Sequence, residues 1–183
     1  MPFPVDPLWR TYDTTDDAVT TILAEHALIH KGLLFSAVHK FDNVASGATV
    51  YLALTTPANI EVHLKVALIV TDSEKILVTV TEDATYSGGT QVSPFNRNRN
   101  SANASLTNIF SGVTGVSGGT NIDVDYLGGG ASPGPKATAI GTEVAGTTEW
   151  VLKPSTNYVI SIRNDGASTA SIIVKLIWYE VRR

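Results

Sequence analysis

Ile60-Glu61-Val62-His63-Leu64-Lys65-Val66-Ala67-Leu68-Ile69-Val70 is the stretch whose reading decides the fold. Ile60, Val62, Leu64, Val66, Leu68 and Val70 alternate against Glu61, His63 and Lys65, the period of a strand with one face in a core and one in water. After a turn at 71–74, Ile76, Val78 and Val80 alternate against Leu77, Thr79 and Thr81, so the two runs read as a hairpin. Upstream, Phe35, Ala37, His39 and Phe41 share one strand face. Val50, Leu52 and Leu54 share another beyond Ala45-Ser46-Gly47. Downstream, Tyr158, Ile160 and Ile162 lead into Asn164-Asp165-Gly166, which reads as a hairpin turn because these residues tolerate positive φ. Ile172, Val174, Leu176 and Trp178 then form the inward face of a last strand, and Ile173 with Ile177 predict cover on its other face. Eight or nine strands spaced by turns predict a mostly β fold, a β-sandwich of jelly-roll type rather than an open sheet.

The ends of this pattern differ. Residues 1–13 read as an extended N-terminal arm, because Pro2, Pro4 and Pro7 remove backbone donors. The arm nevertheless carries Phe3, Val5, Leu8 and Trp9, apolar surface that must be buried on its own domain or on a neighbouring subunit. Residues 14–31 predict one short helix, with Thr14 or Thr15 as cap, Asp16 and Asp17 in the first turn and Gly32 as the stop. The whole of 14–183 is expected to form a single domain. Within 83–147, glycines and Ser/Thr/Asn predict loops, with short strands near 104–110 and 122–127 and a long Gly-rich loop region around 112–147.

Composition agrees with strands. Val, Ile and Thr number 54 of 183 residues, and β-branched side chains favour extended backbone. Only 16% of residues are charged, well under the roughly 25% of an average domain. The net charge of −4 argues against direct nucleic-acid binding, which needs basic surface to release counterions. No apolar run reaches the length of a membrane span, and the N-terminus has no basic, apolar signal-peptide pattern. With no Cys, disulfides, thiolate zinc sites and thiol catalysis are excluded.

Candidate chemistry is sparse. His26 and His30 are four apart on the predicted helix, a spacing zinc uses, yet no H-E-x-x-H is present and a third ligand would have to come from His39, His63 or a distant carboxylate. Asp123 and Asp125 share a face if their segment is a strand, but no calcium-loop pattern surrounds them. No phosphate-binding glycine loop and no G-x-S-x-G elbow occurs. The expectation is therefore no enzyme, no cofactor and no metal. The unusual string is Pro94-Phe95-Asn96-Arg97-Asn98-Arg99-Asn100-Ser101. Alternating amides and guanidiniums can staple an irregular loop or engage carboxylates of a partner.

Three segments together resemble a known family: AEHALIHKGLLFSA at 24–37, SPFNRNRNSANASLTNIF at 93–110 and GTTEWVLKPSTNYVISIRNDGASTASIIVKLIWYEVRR at 146–183. They resemble head decoration, cement or auxiliary capsid proteins of tailed bacteriophages. That resemblance implies a structural protein on the outer surface of the virion, bound to the major capsid protein across capsomer joints. It carries no catalytic motif. A symmetric oligomer is expected, a homotrimer first and a homodimer second. Phe3, Val5, Leu8 and Trp9 of the arm, with Phe95, Arg97 and Arg99 of the loop, are the expected contacts with capsid or sister subunits. The competing expectation is a carbohydrate-binding module or head-fibre adhesin, with Tyr86, Tyr126 or Trp150 stacking on sugar. A metal-dependent hydrolase built on His26 and His30 is the distant third.

Overall fold

The structure is a computed structural model, and it describes residues 10–13, 18–21, 24–128, 136–140 and 149–182. The chain opens with β1 (Arg10–Asp13), β2 (Ala18–Thr21) and α1 (Ala24–His30). Four long strands follow: β3 (Leu34–Val44), β4 (Thr49–Thr55), β5 (Ile60–Thr71) and β6 (Lys75–Glu82). Short ones come next: β7 (Thr85–Ser87), β8 (Thr90–Gln91), β9 (Phe95–Asn96), β10 (Asn108–Ser111) and β11 (Thr114–Ser117). The series ends with β12 (Thr120–Gly128), β13 (Lys136–Ile140), β14 (Trp150–Leu152), β15 (Asn157–Asn164) and β16 (Ala170–Arg182).

Two six-stranded antiparallel sheets face each other. One has the order β12-β6-β15-β4-β10-β8; the other runs β13-β5-β16-β3-β9, with β14 also on β5. Their inner faces make one core from Phe35, Leu52, Leu54, Val62, Ile69, Ile76, Val78, Ile109, Ile160, Ile162, Ile172, Val174, Leu176 and Trp178. Each fully buried Val, Leu or Ile there contributes about 1.5–3 kcal/mol relative to exposure. The mostly β sandwich expected from the alternation is thus present.

Several local expectations are corrected. β5 and β6 do not form a hairpin, nor do β15 and β16: in each pair the strands lie in opposite sheets. Alternation marks which face of a strand is apolar but not which strand lies beside it. The links arch over the rim instead. Asn164, fully buried at one such rim, donates from Nδ2 to Val44 O (2.9 Å) and Ser168 O (2.8 Å), and accepts at Oδ1 from Ser73 Oγ (2.6 Å) and Gly166 N (3.0 Å). One amide therefore ties together three interstrand connections. Along β5 the alternation slips by one residue. A bulge puts Trp178 opposite Leu64 and Ile177 opposite Val66, and beyond it the odd-numbered Ile69 enters the core. On β16, Ile177 is half-buried but Ile173 is exposed, so the cover expected over both is absent at Ile173.

Of the stretch 14–31 expected as helix, the described residues are helical only in α1. Ala18–Thr21 is a strand paired with Arg10–Asp13, in keeping with the β-branched Val19, Thr20 and Thr21. The helix does stop at Gly32, whose φ is +67°. Gly32 N donates to Ile29 O (2.9 Å) and Leu33 N to Leu28 O (3.0 Å), the paired bonds of a Schellman ending. Within 112–147 the strand expected near 122–127 is β12, while β11 and β13 lie where loops were expected. The insertion between β6 and β12 crosses to the far edges, adding β8 and β10 beside β4 and β9 beside β3. No helix among the described residues is long and apolar enough to cross a membrane.

Candidate interaction surface

The asparagine–arginine string lies at the edge of the second sheet, where Phe95 and Asn96 pair with Ser36 and Phe35. Its asparagines are structural. Asn96 Nδ2 donates to Gly32 O (2.9 Å) and Asn103 O (3.0 Å). Asn98 Nδ2 donates to His30 O (3.0 Å), and Asn103 Nδ2 reaches Lys31 O and Gly32 O, each at 3.3 Å. These are the carbonyls that the end of a helix leaves without intrahelical partners. The loop also folds on itself, with Asn98 N on Asn96 Oδ1 (2.9 Å) and Asn100 N on Asn98 Oδ1 (3.1 Å). The amides thus staple the loop to the end of α1.

The remaining side chains of the string face outward. Phe95 is 56% exposed, Arg97 and Arg99 are exposed, and the Arg99 guanidinium sits 5.4 Å from the centre of the Phe95 ring. Neither arginine has an ion-pair partner among the described residues. A rigid backbone therefore presents one aromatic and two cationic groups to whatever lies outside.

Behind this loop is a buried carboxylate. Glu180, 6% exposed, accepts from Ser105 Oγ (2.5 Å), Thr107 N (3.1 Å), Thr107 Oγ1 (2.8 Å) and Trp178 Nε1 (3.1 Å) at Oε1, and from Leu106 N at Oε2 (3.0 Å). It holds the 105–107 segment against β16. Beside it opens a cavity of about 340 Å³ lined by Leu33, Phe35, Ile60, Asn103, Ala104, Leu106 and Glu180.

Protein-family models, curated proteins and solved structures were all compared with the chain, and none matches it.

The other residues singled out in the sequence are scattered. Phe3, Val5, Leu8 and Trp9 lie outside the described residues. His26 and His30 stack with ring centres 4.6 Å apart, and both are exposed. Among the described residues no group of three His, Asp or Glu side chains is placed to hold a metal ion, Asp123 and Asp125 included. His39 packs edge-on against Phe41, and burial lowers its pKa. Tyr86 is turned inward, bonded to Thr55 Oγ1 at 2.8 Å, whereas Tyr126 is 57% exposed beneath Lys75 and Trp150 is partly exposed.

One cluster was not foreseen. His63 places Nε2 2.7 Å from Glu61 Oε1 and Nδ1 2.9 Å from Glu149 Oε1. The Tyr179 ring stacks on it at 4.4 Å, and its hydroxyl donates to Glu149 (2.9 Å). Burial, then the bond to Glu149, pushes the Tyr179 phenol above its usual range. The cluster ties the residue preceding β14 to β5 and β16. Glu61 and His63 were legible as the polar face of β5, but Glu149 and Tyr179 are brought to them only by strand pairing.

Proposed function

We propose that this chain is a structural, non-enzymatic protein of a tailed-bacteriophage virion that decorates the outer surface of the capsid and stabilises it by binding the major capsid protein across capsomer joints. The observation that carries this reading is the shelf of Phe95, Arg97 and Arg99, exposed on a loop whose backbone is already stapled by Asn96, Asn98 and Asn103. Aromatic side chains and arginine are enriched at protein interfaces, and these guanidiniums have no ion-pair partner among the described residues. Pre-ordering the loop reduces the entropy lost on docking. Val38, Leu106, Val124 and Val151 are also exposed, which suits a protein whose work is contact.

We read the sandwich as a jelly roll, a fold used by capsid and lectin domains. In support, β3, β16, β5 and β13 with β14 form one four-position sheet, and β4, β15, β6 and β12 the other. The chain changes sheet at each step between these strands except from β6 to β12 and from β13 to β14. Fold alone does not decide function. A homotrimer on local threefold positions is the first choice of assembly and a homodimer the second, each interface burying on the order of 1,000 Å² or more.

The test is co-sedimentation with capsids lacking the protein, followed by electron microscopy of the particles. Stoichiometric surface density is expected for the unaltered chain. Arg97→Glu combined with Arg99→Glu should reduce occupancy at least about tenfold, a loss of ~1.4 kcal/mol, and deletion of residues 1–13 should also weaken attachment. Full occupancy by the double variant removes the shelf as the contact, and no density at all removes the decoration role. Exposed Tyr126 and Trp150 favour a second reading, a glycan-binding module. Saturable glycan-array binding by the free protein, without capsid binding, would select it.

A further inference from the structure

We infer that the cavity beside Glu180 is a recognition pocket for a lysine side chain of a partner protein. Leu33, Phe35, Ile60, Ala104 and Leu106 supply apolar walls, and Glu180 supplies the one formal charge in the lining. The volume of about 340 Å³ lies in the range of small-ligand sites. The mouth is open, because Asn103, Ala104 and Leu106 are all exposed.

The charge decides the occupant. Glu180 is compensated only by neutral donors: two hydroxyls, two backbone N–H groups and an indole. No cation pairs with it among the described residues. The donors are also unequally divided, since Oε1 takes nearly all of them while Oε2 receives only Leu106 N, at 3.0 Å. A carboxylate accepts at about four positions, so Oε2 keeps acceptor capacity. In an apolar wall its negative potential is weakly screened. An anion is repelled and a neutral alkyl chain leaves the charge uncompensated. An ammonium on a flexible aliphatic stem satisfies both walls and charge. Lysine fits this better than arginine, whose planar fork needs two acceptors in parallel.

The pocket is continuous with the shelf. Asn96 donates to Asn103 O on the cavity rim, and Arg97 N donates to Leu34 O between the two lining residues Leu33 and Phe35. The pocket and the shelf therefore share the backbone of 96–103, with Phe95 beside Ser36 on the other face of the sheet from Phe35. In naming a protein partner, this inference rests on the contact role proposed above.

The experiment follows the Trp178 indole N–H, which reports directly on Glu180, by heteronuclear NMR of the full chain. The probes are Nα-acetyl-lysine methylamide and its norleucine counterpart, which lacks the ammonium. Saturable shifts of the Trp178 signal are expected with the lysine probe, and at least tenfold weaker binding of the norleucine probe. Glu180→Gln should remove that preference. Because this variant also loosens the 105–107 segment, Ala104→Phe serves as a second: it fills the mouth without touching the carboxylate, and should abolish binding in a folded protein. Equal binding of the two probes, or no response of the Trp178 signal to the lysine probe, overturns the inference. Lysine-probe binding by a protein that fails to sediment with capsids keeps the pocket and overturns the decoration reading instead.

Discussion

The Trp178 indole donates to Glu180 Oε1 at 3.1 Å, joining two residues that sit two apart on the inward face of the last strand. The pair closes one end of the core and anchors the 105–107 segment from beneath. Glu180→Ala leaves the Trp178 and Leu106 N–H groups without their acceptor, whereas Thr107 N keeps Ser105 Oγ at 3.1 Å. At about 1–3 kcal/mol for each buried unsatisfied group, the loss should reach at least ~2 kcal/mol. Urea denaturation followed by tryptophan fluorescence measures it. A change below ~1 kcal/mol would mean water replaces the carboxylate fully.

Gly32 is the residue on which the end of α1 depends. A Cβ there would overlap Ser101 Oγ, and the φ of +67° disfavours any L side chain. Gly32→Ala should cost about 1–2 kcal/mol from backbone strain alone, plus the steric cost. Adding Ser101→Gly should recover the steric part and leave the backbone part. Thermal melts of the single and double variants separate the two.

Asn164 predicts a graded series. Asn164→Ala removes four bonds at a fully buried site and should destabilise by roughly 2–4 kcal/mol. Asn164→Asp keeps the shape but turns a carboxylate toward the Val44 and Ser168 carbonyls. Its stability should therefore recover in acid, where a protonated carboxyl can donate. Chemical denaturation at pH 4 and pH 7 reads this out, and equal stability at both would count against it.

Two tyrosines make an alkaline prediction. Burial first, and the bond to Glu82 after it, raises Tyr158; Tyr179 is raised in the same way beside Glu149. A folded-state pKa above the unfolded value gives stability that is complete below pH 10 and falls as the pH climbs from there toward the folded pKa. The melting temperature should drop above pH 10, and Tyr158→Phe should make that drop shallower. Absorbance titration near 295 nm should find two of the six tyrosines ionising late in the native protein.

The acid side is set on the surface. The bond from Lys153, followed by that from Tyr158, lowers Glu82, so the stability it adds is present above pH 4.5 and lost as pH falls through its folded pKa. Because the Lys153 ammonium is exposed to solvent, Lys153→Met should reduce that acid sensitivity only slightly, and added salt should mimic the substitution.

Much of this architecture was legible in the residues. Alternation at 35–41, 50–54, 76–80, 158–162 and 172–178 marked real strands and their inward faces, because one buried face forces period two. Gly32 marked the helix end because only glycine enters the left-handed region without strain. The candidate shelf was partly legible: the Asn/Arg string stood out, and both uses suggested for it occur, with Asn96 and Asn98 stapling the loop and Arg97 and Arg99 exposed, Arg99 also reaching Asn96 O. Glu180 was not legible. It occupies an inward position on β16, where a polar residue signals nothing until its donors at 105–107 are brought within reach from about 75 positions away.

Taken alone, the amino-acid sequence determined the class of structure: how many apolar faces must be buried, and that strands would bury them. Those properties are local, set by side-chain branching and by a spacing of two. Only the tertiary structure decided which strands became neighbours. Each apparent hairpin opened into an arch between sheets, because pairing is chosen by the whole core and not by the turn. The same long-range choice placed Glu180 beneath an inserted loop and opened the cavity beside it.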